Sequence, residues 1–292
     1  MDLSIIIVNY NTRELTRQTL QSIYKYNHNL DFEVIVVDNN SSDDSINMIK
    51  DEFPQVILIQ NKENLGFSKA NNIGINKSKG KYILLLNSDT IIQRDTLEIM
   101  VDFMETNKEV GAAGCKVVLP DGNLDKACKR SFPTPRNAFY NALKLDKLFP
   151  HNKKFGEYNL TYLNEDEMHE VDSLVGAFMM VRREVIEEVG LLDENFFMYG
   201  EDIDWCYRIK KSGWKIVYYP KTKIIHYKGG SSKKKNPKII YEFYRAMYLF
   251  FEKHYKNKYS KLTKYIVYLG IWTKMVLSLI TNLFKSKKIP NS

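Results

Sequence analysis

Three short apolar runs in the first third of the chain end in the same way. "LSIIIVNYN" stops at Asn9-Tyr10-Asn11, "FEVIVVDNNSSDDS" at Asp38-Asn39-Asn40 and "KYILLLNSDT" at Asn87-Ser88-Asp89. Each run is strand-sized and continuously apolar, so both of its faces must be covered. Between and after them lie segments with helical apolar spacing: "TRELTRQTLQSIYKY" with Thr12 as N-cap, "SINMIKDEF", "GFSKANNIGINKSKG" closed by Gly80, and "RDTLEIMVDFMETN". "VILIQN" adds one more strand. This alternation predicts an α/β fold with a mostly parallel central sheet flanked by helices. Ligands of such sheets bind beyond the carboxyl ends of the strands, so the three polar exits are expected along one rim, as a cleft. One exit alone would be a turn or a helix cap, which favour the same residues. Three together argue for a site.

Val110–Val171 is less regular. Pro120-Asp121-Gly122, Pro133 and Pro135 mark turns, and the stretch reads as a loop-rich insertion lining a pocket. Regular structure is expected again as a strand over Ser173–Val181, a helix over Glu184–Val189 ended by Gly190, a helix over Asp202–Lys211 ended near Gly213, and the strand "KIVYYP". Glu201, Asp202 and Asp204 open the second helix, more acid than a cap requires. Phe196-Phe197-Met198-Tyr199 precede them. A carboxylate against such an apolar wall gains proton affinity and suits general-base work. His226 stands at a strand exit in "KIIHYKGGSS". A lone histidine is more often structural, but Asp89 with His226 suits Mn²⁺ or Mg²⁺ whose other ligands are phosphate oxygens.

The cysteines, Cys115, Cys128 and Cys206, stand far apart, with neither metal spacing nor a disulfide framework, and are expected as free thiols in a reducing cytosol. "MDLSIIIVNYN" lacks the basic region and cleavage site of a secretory signal.

The order of these motifs resembles the family 2 glycosyltransferases of GT-A fold, and among them the rhamnosyltransferase-like branch. "SIIIVNYN", "VIVVDNNSSDDS", "NLGFSKANNIGI", "LLLNSDT", "GAFMMVRREV", "GLLDENFFMYGEDIDWCYRIKKSGW" and "HYKGGS" carry it, from Leu3 to about Ser232. The resemblance implies a Rossmann-like GT-A catalytic domain over 1–235. It implies an inverting, metal-dependent transfer of a sugar from a nucleotide-diphosphate donor, dTDP-rhamnose or a UDP-sugar, to a hydroxyl of a glycan or lipid-linked glycan. Asp38 would accept the base N3–H, with Asn9, Tyr10 and Asn11 lining base and ribose. Asn64, Gly66 and Asn71 would lie in the stretch approaching the donor. Asn87-Ser88-Asp89 occupies the place of an Asp-X-Asp motif, with Asp89 on a divalent cation, Mn²⁺ or Mg²⁺, and Asn87 facing ribose or sugar. His226 would be a second metal ligand, Glu201 a donor contact and Asp202 the base. Asn87 departs from the motif's first acid, which removes one negative charge and weakens expected metal binding. The chain has no Gln-X-X-Arg-Trp motif, which argues for non-processive transfer. A nucleotidyltransferase would be expected to carry a glycine-rich phosphate loop, which "VNYNTREL" lacks. An inactive glycan- or membrane-binding relative is the other alternative.

Charge separates the end of the chain from the rest. From Trp205 onward there are 21 Lys+Arg and two acids, Glu242 and Glu252, a net +19; the whole chain carries +8, which leaves −11 for Met1–Asp204. Residues 236–292 read as a basic, aromatic helical extension after the linker Lys233–Lys238. Its apolar stretch from Tyr265 to Phe284 is long enough to span a bilayer, but Lys274 interrupts it. Three readings stay open: a helix lying in an anionic membrane interface, packing on protein or a second subunit, and true spanning. The first places the enzyme on the cytoplasmic face of the cell membrane. No nucleic-acid-binding signature is present, so nucleic acid is not an expected partner.

Overall fold

Strand and helix alternate as the apolar pattern predicts. The computed structural model describes residues 1–26, 29–228 and 236–285. The chain runs β1 (Leu3–Asn9), α1 (Arg13–Tyr24), β2 (Phe32–Asp38), α2 (Ser45–Glu52), β3 (Ile57–Gln60), α3 (Phe67–Lys77), β4 (Tyr82–Asn87), β5 (Thr90–Ile92) and α4 (Thr96–Thr106). It continues through β6 (Val110–Val118), α5 (Pro135–Ala142), α6 (Leu145–Leu148), β7 (His169–Glu170), β8 (Phe178–Arg182), α7 (Arg183–Val189), α8 (Glu201–Lys211), β9 (Lys215–His226), α9 (Pro237–His254) and α10 (Lys261–Leu283).

One sheet joins the strands in the order β3-β2-β1-β4-β8-β6-β9-β5, with β7 on β9. The pairings make β1, β2, β3, β4, β6 and β9 run one way and β5, β7 and β8 the other. The sheet is therefore mostly parallel, with antiparallel β8 at its centre. Ile5, Ile6 and Ile7 of β1 and Ile83, Leu84 and Leu85 of β4 are fully buried, as expected of strands covered on both faces. Each such side chain contributes about 2 kcal/mol by leaving water.

Several local expectations are corrected. Val110–Val118 is a strand rather than the start of a loop-rich insertion. Its small residues weakened the strand pattern, and packing explains them: a side chain at Gly111 would meet Trp214 Cβ at 2.7 Å, and one at Gly114 would meet Leu174 Cδ2 at 2.9 Å. The strand expected over Ser173–Val181 is confined to Phe178–Arg182, because 173–177 leaves the ladder to reach α8. Helix α3 ends at Lys77, with Ser78 as its cap, and Gly80 instead lies against β1, its N–H donating to Ser4 Oγ at 2.7 Å. Thr12 precedes α1 but does not cap it; its hydroxyl donates to Asn9 Oδ1.

Helix α9 packs on α8 through a second apolar cluster of Phe196, Ala246, Phe250, Phe251 and Tyr255. Fully buried Asp204 bolts the two helices together. Its carboxylate accepts from His254 Nε2 at 2.7 Å and pairs with Lys253 Nζ at 2.8 Å and Arg208 Nε at 2.9 Å. Burial opposes ionisation of Asp204, but these partners outweigh it and hold its carboxyl at about 2. The folded value lies below the ordinary 3.8, so the stabilisation is present above that pH and is lost as pH falls through about 2. Asp204→Ala should cost about 3 kcal/mol at neutral pH, the lower end for a broken buried pair because Lys253 and Arg208 stay partly hydrated. Denaturant titration of wild type and variant should show the gap closing in acid, and an unchanged gap at low pH would refute the bolt.

Candidate active site

The parallel registers put the first two polar exits side by side. Asn9 pairs with Asp38 across β1 and β2, and Val8 pairs with Asn87 across β1 and β4. Asp38 is fully buried, accepting from Asn9 Nδ2 at 2.7 Å and from Ser41 N–H at 2.9 Å. Asn9 spends its whole amide on the protein: Nδ2 also donates to Ser41 Oγ, and Oδ1 accepts from Thr12 and Thr16. Its amide braces Asp38 from within the protein. Asn11 takes the left-handed conformation, φ 53°, and its Oδ1 accepts from Ser42 N–H, while Tyr10 is exposed.

Asn64, Gly66 and Asn71 are all hydrogen-bonded within the protein. Asn64 Oδ1 accepts from Gly66 N–H, Gly66 O accepts from Asn39 Nδ2, and Asn71 Nδ2 donates to Phe67 O. Gly66 has φ 85°, and a Cβ there would lie 2.5 Å from Phe197 O. Glycine is required because the segment before α8 passes this closely.

The third exit carries the densest chemistry. Asp89 Oδ1 lies 3.1 Å from His226 Nε2, and the Asn87 amide nitrogen is 3.3 Å from the same atom. The other ring nitrogen, Nδ1, faces Asp125 Oδ2 at 3.3 Å, and Asp125 also pairs with Lys228 at 2.7 Å. Burial lowers the proton affinity of His226, but the bonds with Asp125 and Asp89 outweigh it and raise the imidazole to about 9. Asp125 is itself held well below the usual carboxylate range: burial opposes, and His226 and Lys228 prevail. A carboxylate behind a histidine is the usual outer support of a metal-binding imidazole. Among the described residues no three His, Cys, Asp or Glu side chains converge to hold an ion alone. Two protein ligands, Asp89 and His226, the latter giving up its Nε2 proton to the incoming cation, with the rest drawn from phosphate, fit a hard divalent ion. Ser88 Oγ turns back to Thr12 Oγ1 at 3.0 Å.

Asp202 lies in the first turn of α8, where the helix dipole favours a carboxylate. Its Oδ2 pairs with Arg130 Nη2 at 2.7 Å and accepts from Gly176 N–H at 3.3 Å. The next residue, Ala177, accepts from Asn87 N–H at 3.2 Å through its carbonyl. Gly176-Ala177 thus ties α8 to the end of β4.

The raised proton affinity expected beside the apolar wall falls on Glu201. Burial first, and then the charge of Asp202, lift its carboxyl to about 8, and its Oε2 is buried without a hydrogen-bond partner. Folding therefore retains a proton that the unfolded chain releases above 4.5, so stability declines as pH rises from 4.5 to about 8. Glu201→Gln should remove the decline between about pH 4.5 and 6.5, below the range where His226 titrates, read as Tm against pH. A variant with the wild-type slope would show that Glu201 ionises normally.

The site also recruits residues that the sequence pattern missed. Asp125 and Arg130 come from the irregular stretch after β6, and neither sits at a strand exit or in a recognised motif. They are paired across 101 and 72 residues of chain.

A family model described as "Glycosyltransferase like family 2" matches residues 2–240. The chain belongs to that family. The glycosyltransferase is 26% identical over 228 residues to an N-acetylglucosaminyl-diphospho-decaprenol L-rhamnosyltransferase of Mycobacterium tuberculosis (strain CDC 1551 / Oshkosh), covering 74% of this chain and 73% of that one. It is 29% identical over 172 residues to the rhamnosyltransferase WbbL of Escherichia coli K12, covering 56% and 61%. Its fold matches the mannosyltransferase PcManGT from Pyrobaculum calidifontis, solved in complex with GDP-Man and Mn²⁺, with a TM-score of 0.61 at 18% identity over 99% of this chain and 76% of that one. The GT-A fold and rhamnosyltransferase-like kinship expected from the motifs are thus found.

Proposed function

We propose that this glycosyltransferase moves a single hexosyl unit, with inversion, from dTDP-rhamnose or a UDP-sugar to a hydroxyl of a lipid-linked glycan. The observation that carries the reading is the Gly176-Ala177 turn, which bonds Asp202 on one side and the strand end before Asp89 on the other. That turn brings the carboxylate proposed as the base close to the strand end that carries the acid proposed for the metal. Asp38, braced by Asn9, is suited to accept N3–H of thymine or uracil. Asp89 and His226, the latter backed by Asp125, would hold Mn²⁺ or Mg²⁺. Bound there, such a cation would supply positive charge to the departing diphosphate. Asp202 takes the proton of the acceptor hydroxyl as its oxygen bonds to the anomeric carbon. The bond from that carbon to the phosphate oxygen breaks, and the nucleoside diphosphate leaves with the electron pair. Attack opposite the leaving group inverts the anomeric centre. Burial and the charge of Asp202 push Glu201 toward its neutral form, which weakens the repulsion beside the base.

The relatives named as rhamnosyltransferases support rhamnose as the sugar, and the decaprenol in one of their names supports a lipid-linked acceptor and work at a membrane surface. Release of nucleoside diphosphate from a panel of sugar nucleotides, with and without Mn²⁺, tests the reading. Metal-stimulated turnover of dTDP-rhamnose or a UDP-sugar is expected. Turnover of none of them, or of GDP-sugars alone, would overturn it.

A further inference from the structure

The described residues contain one helix long and apolar enough to cross a membrane, α10, and it is hardly buried in the protein. Its two faces have different partners. The inner face lies antiparallel along α9: Tyr268 bonds Glu252, Trp272 sits beside Tyr248 with ring centroids 6.4 Å apart, and Ser278 Oγ meets Tyr244 OH at 2.7 Å. The outer face exposes Leu262, Ile266, Leu269, Leu277, Ile280 and Leu283. At about 100° per residue these and their apolar neighbours form a stripe roughly 140° wide, on which Thr273 is the lone polar residue. Lys274 falls outside that stripe. The lysine that interrupts the apolar run in sequence therefore does not interrupt the apolar face.

We propose that α10 lies flat in the interface of an anionic bilayer, outer stripe down, and that α9 holds the catalytic body on it. The charge around the helix supports an anionic partner. α10 carries no acid, Lys261 and Lys274 fall just outside the two edges of the stripe, exposed Lys256 and Lys258 precede the helix, and exposed Lys285 follows it, whereas Lys264 lies on the opposite side. Lysines at the margins of an apolar face reach headgroups while the face enters the acyl boundary. A second copy of this chain would bring the same basic margin against itself. The bolt between α9 and α8 argues against spanning. A spanning α10 would carry its antiparallel partner into hydrocarbon, with Glu242, Arg245, Glu252, Lys253 and His254 on it, and α8 is fixed to α9 through Asp204. Charged groups at that depth are costly. The proposal goes beyond the membrane surface inferred from a lipid-linked acceptor, because it specifies which face binds and in what orientation.

Co-sedimentation of the full chain with vesicles tests it, using phosphatidylcholine alone and phosphatidylcholine mixed with phosphatidylglycerol. Binding to the anionic vesicles should exceed binding to neutral ones by about tenfold and weaken with salt. Alkaline carbonate should release the protein. Leu269→Glu with Ile280→Glu, both on the exposed face, should reduce binding by about tenfold or more with unchanged Tm. Retention in carbonate would overturn the flat orientation in favour of spanning. Equal binding to both vesicle types would overturn the anionic partner. No vesicle binding, with a dimer that the double variant dissociates, would assign the stripe to a second copy. Binding is read without donor or acceptor, so failure here leaves the transfer reading standing.

Discussion

Asp202→Asn should lower kcat by about 10³-fold while the donor dissociation constant stays within about a factor of two. Asparagine keeps the size of the side chain and can keep the hydrogen bond from Gly176 N–H, so the cleft retains its shape. What is lost is a group able to take the proton of the attacking hydroxyl. Arg130 also loses its carboxylate partner, so Tm should fall as well. Calorimetric titration of the donor, done well below that Tm, separates the two effects. Transfer within tenfold of wild type would remove Asp202 from the chemistry and leave it as the structural partner of Arg130.

Asp89→Ala should act on a different step. With Mn²⁺ present, donor affinity should fall about a hundredfold, to the value measured without metal, which corresponds to about 3 kcal/mol. His226→Ala should give a similar loss, because Asp89 and His226 face the same point. Asp125→Asn should fall between, with about a tenfold loss, since it supports the imidazole without facing the donor. Titrations of each variant with and without Mn²⁺ check the ranking. Undiminished Mn²⁺ dependence in Asp89→Ala would place the cation elsewhere. A loss in Asp125→Asn as large as that in Asp89→Ala would make Asp125 a direct ligand.

Much of this site is legible in the residues before any folding is considered. β-branched runs that cannot be exposed on either face must be interior strands, and a parallel strand has to deliver its polar exit to the carboxyl rim. Asp38, Asn87 and Asp89 follow from that argument, and Asp202 and His226 follow once the motifs are recognised. β6 was not legible, because Gly111, Ala112, Ala113 and Gly114 look too small for a strand when the crowding by Trp214 and Leu174 is unknown. Asn9 and Asn71 were legible as polar residues near the cleft, but not as residues whose amides are taken up inside the protein.

The sequence by itself determined which segments are buried, where the chain leaves the sheet and which acids gather at those exits. All of these depend on spacing along a few neighbouring residues. Only the tertiary structure decided the partners of those acids. Arg130 finds Asp202, Asp125 finds His226 and His254 finds Asp204 across 72, 101 and 50 residues. It also decided that Lys274 lies beside the apolar stripe of α10 rather than within it, and that α10 is laid along a helix bolted to the catalytic body. Periodicity reports how each element meets water, whereas a charge pair at such separation depends on how the elements pack against one another.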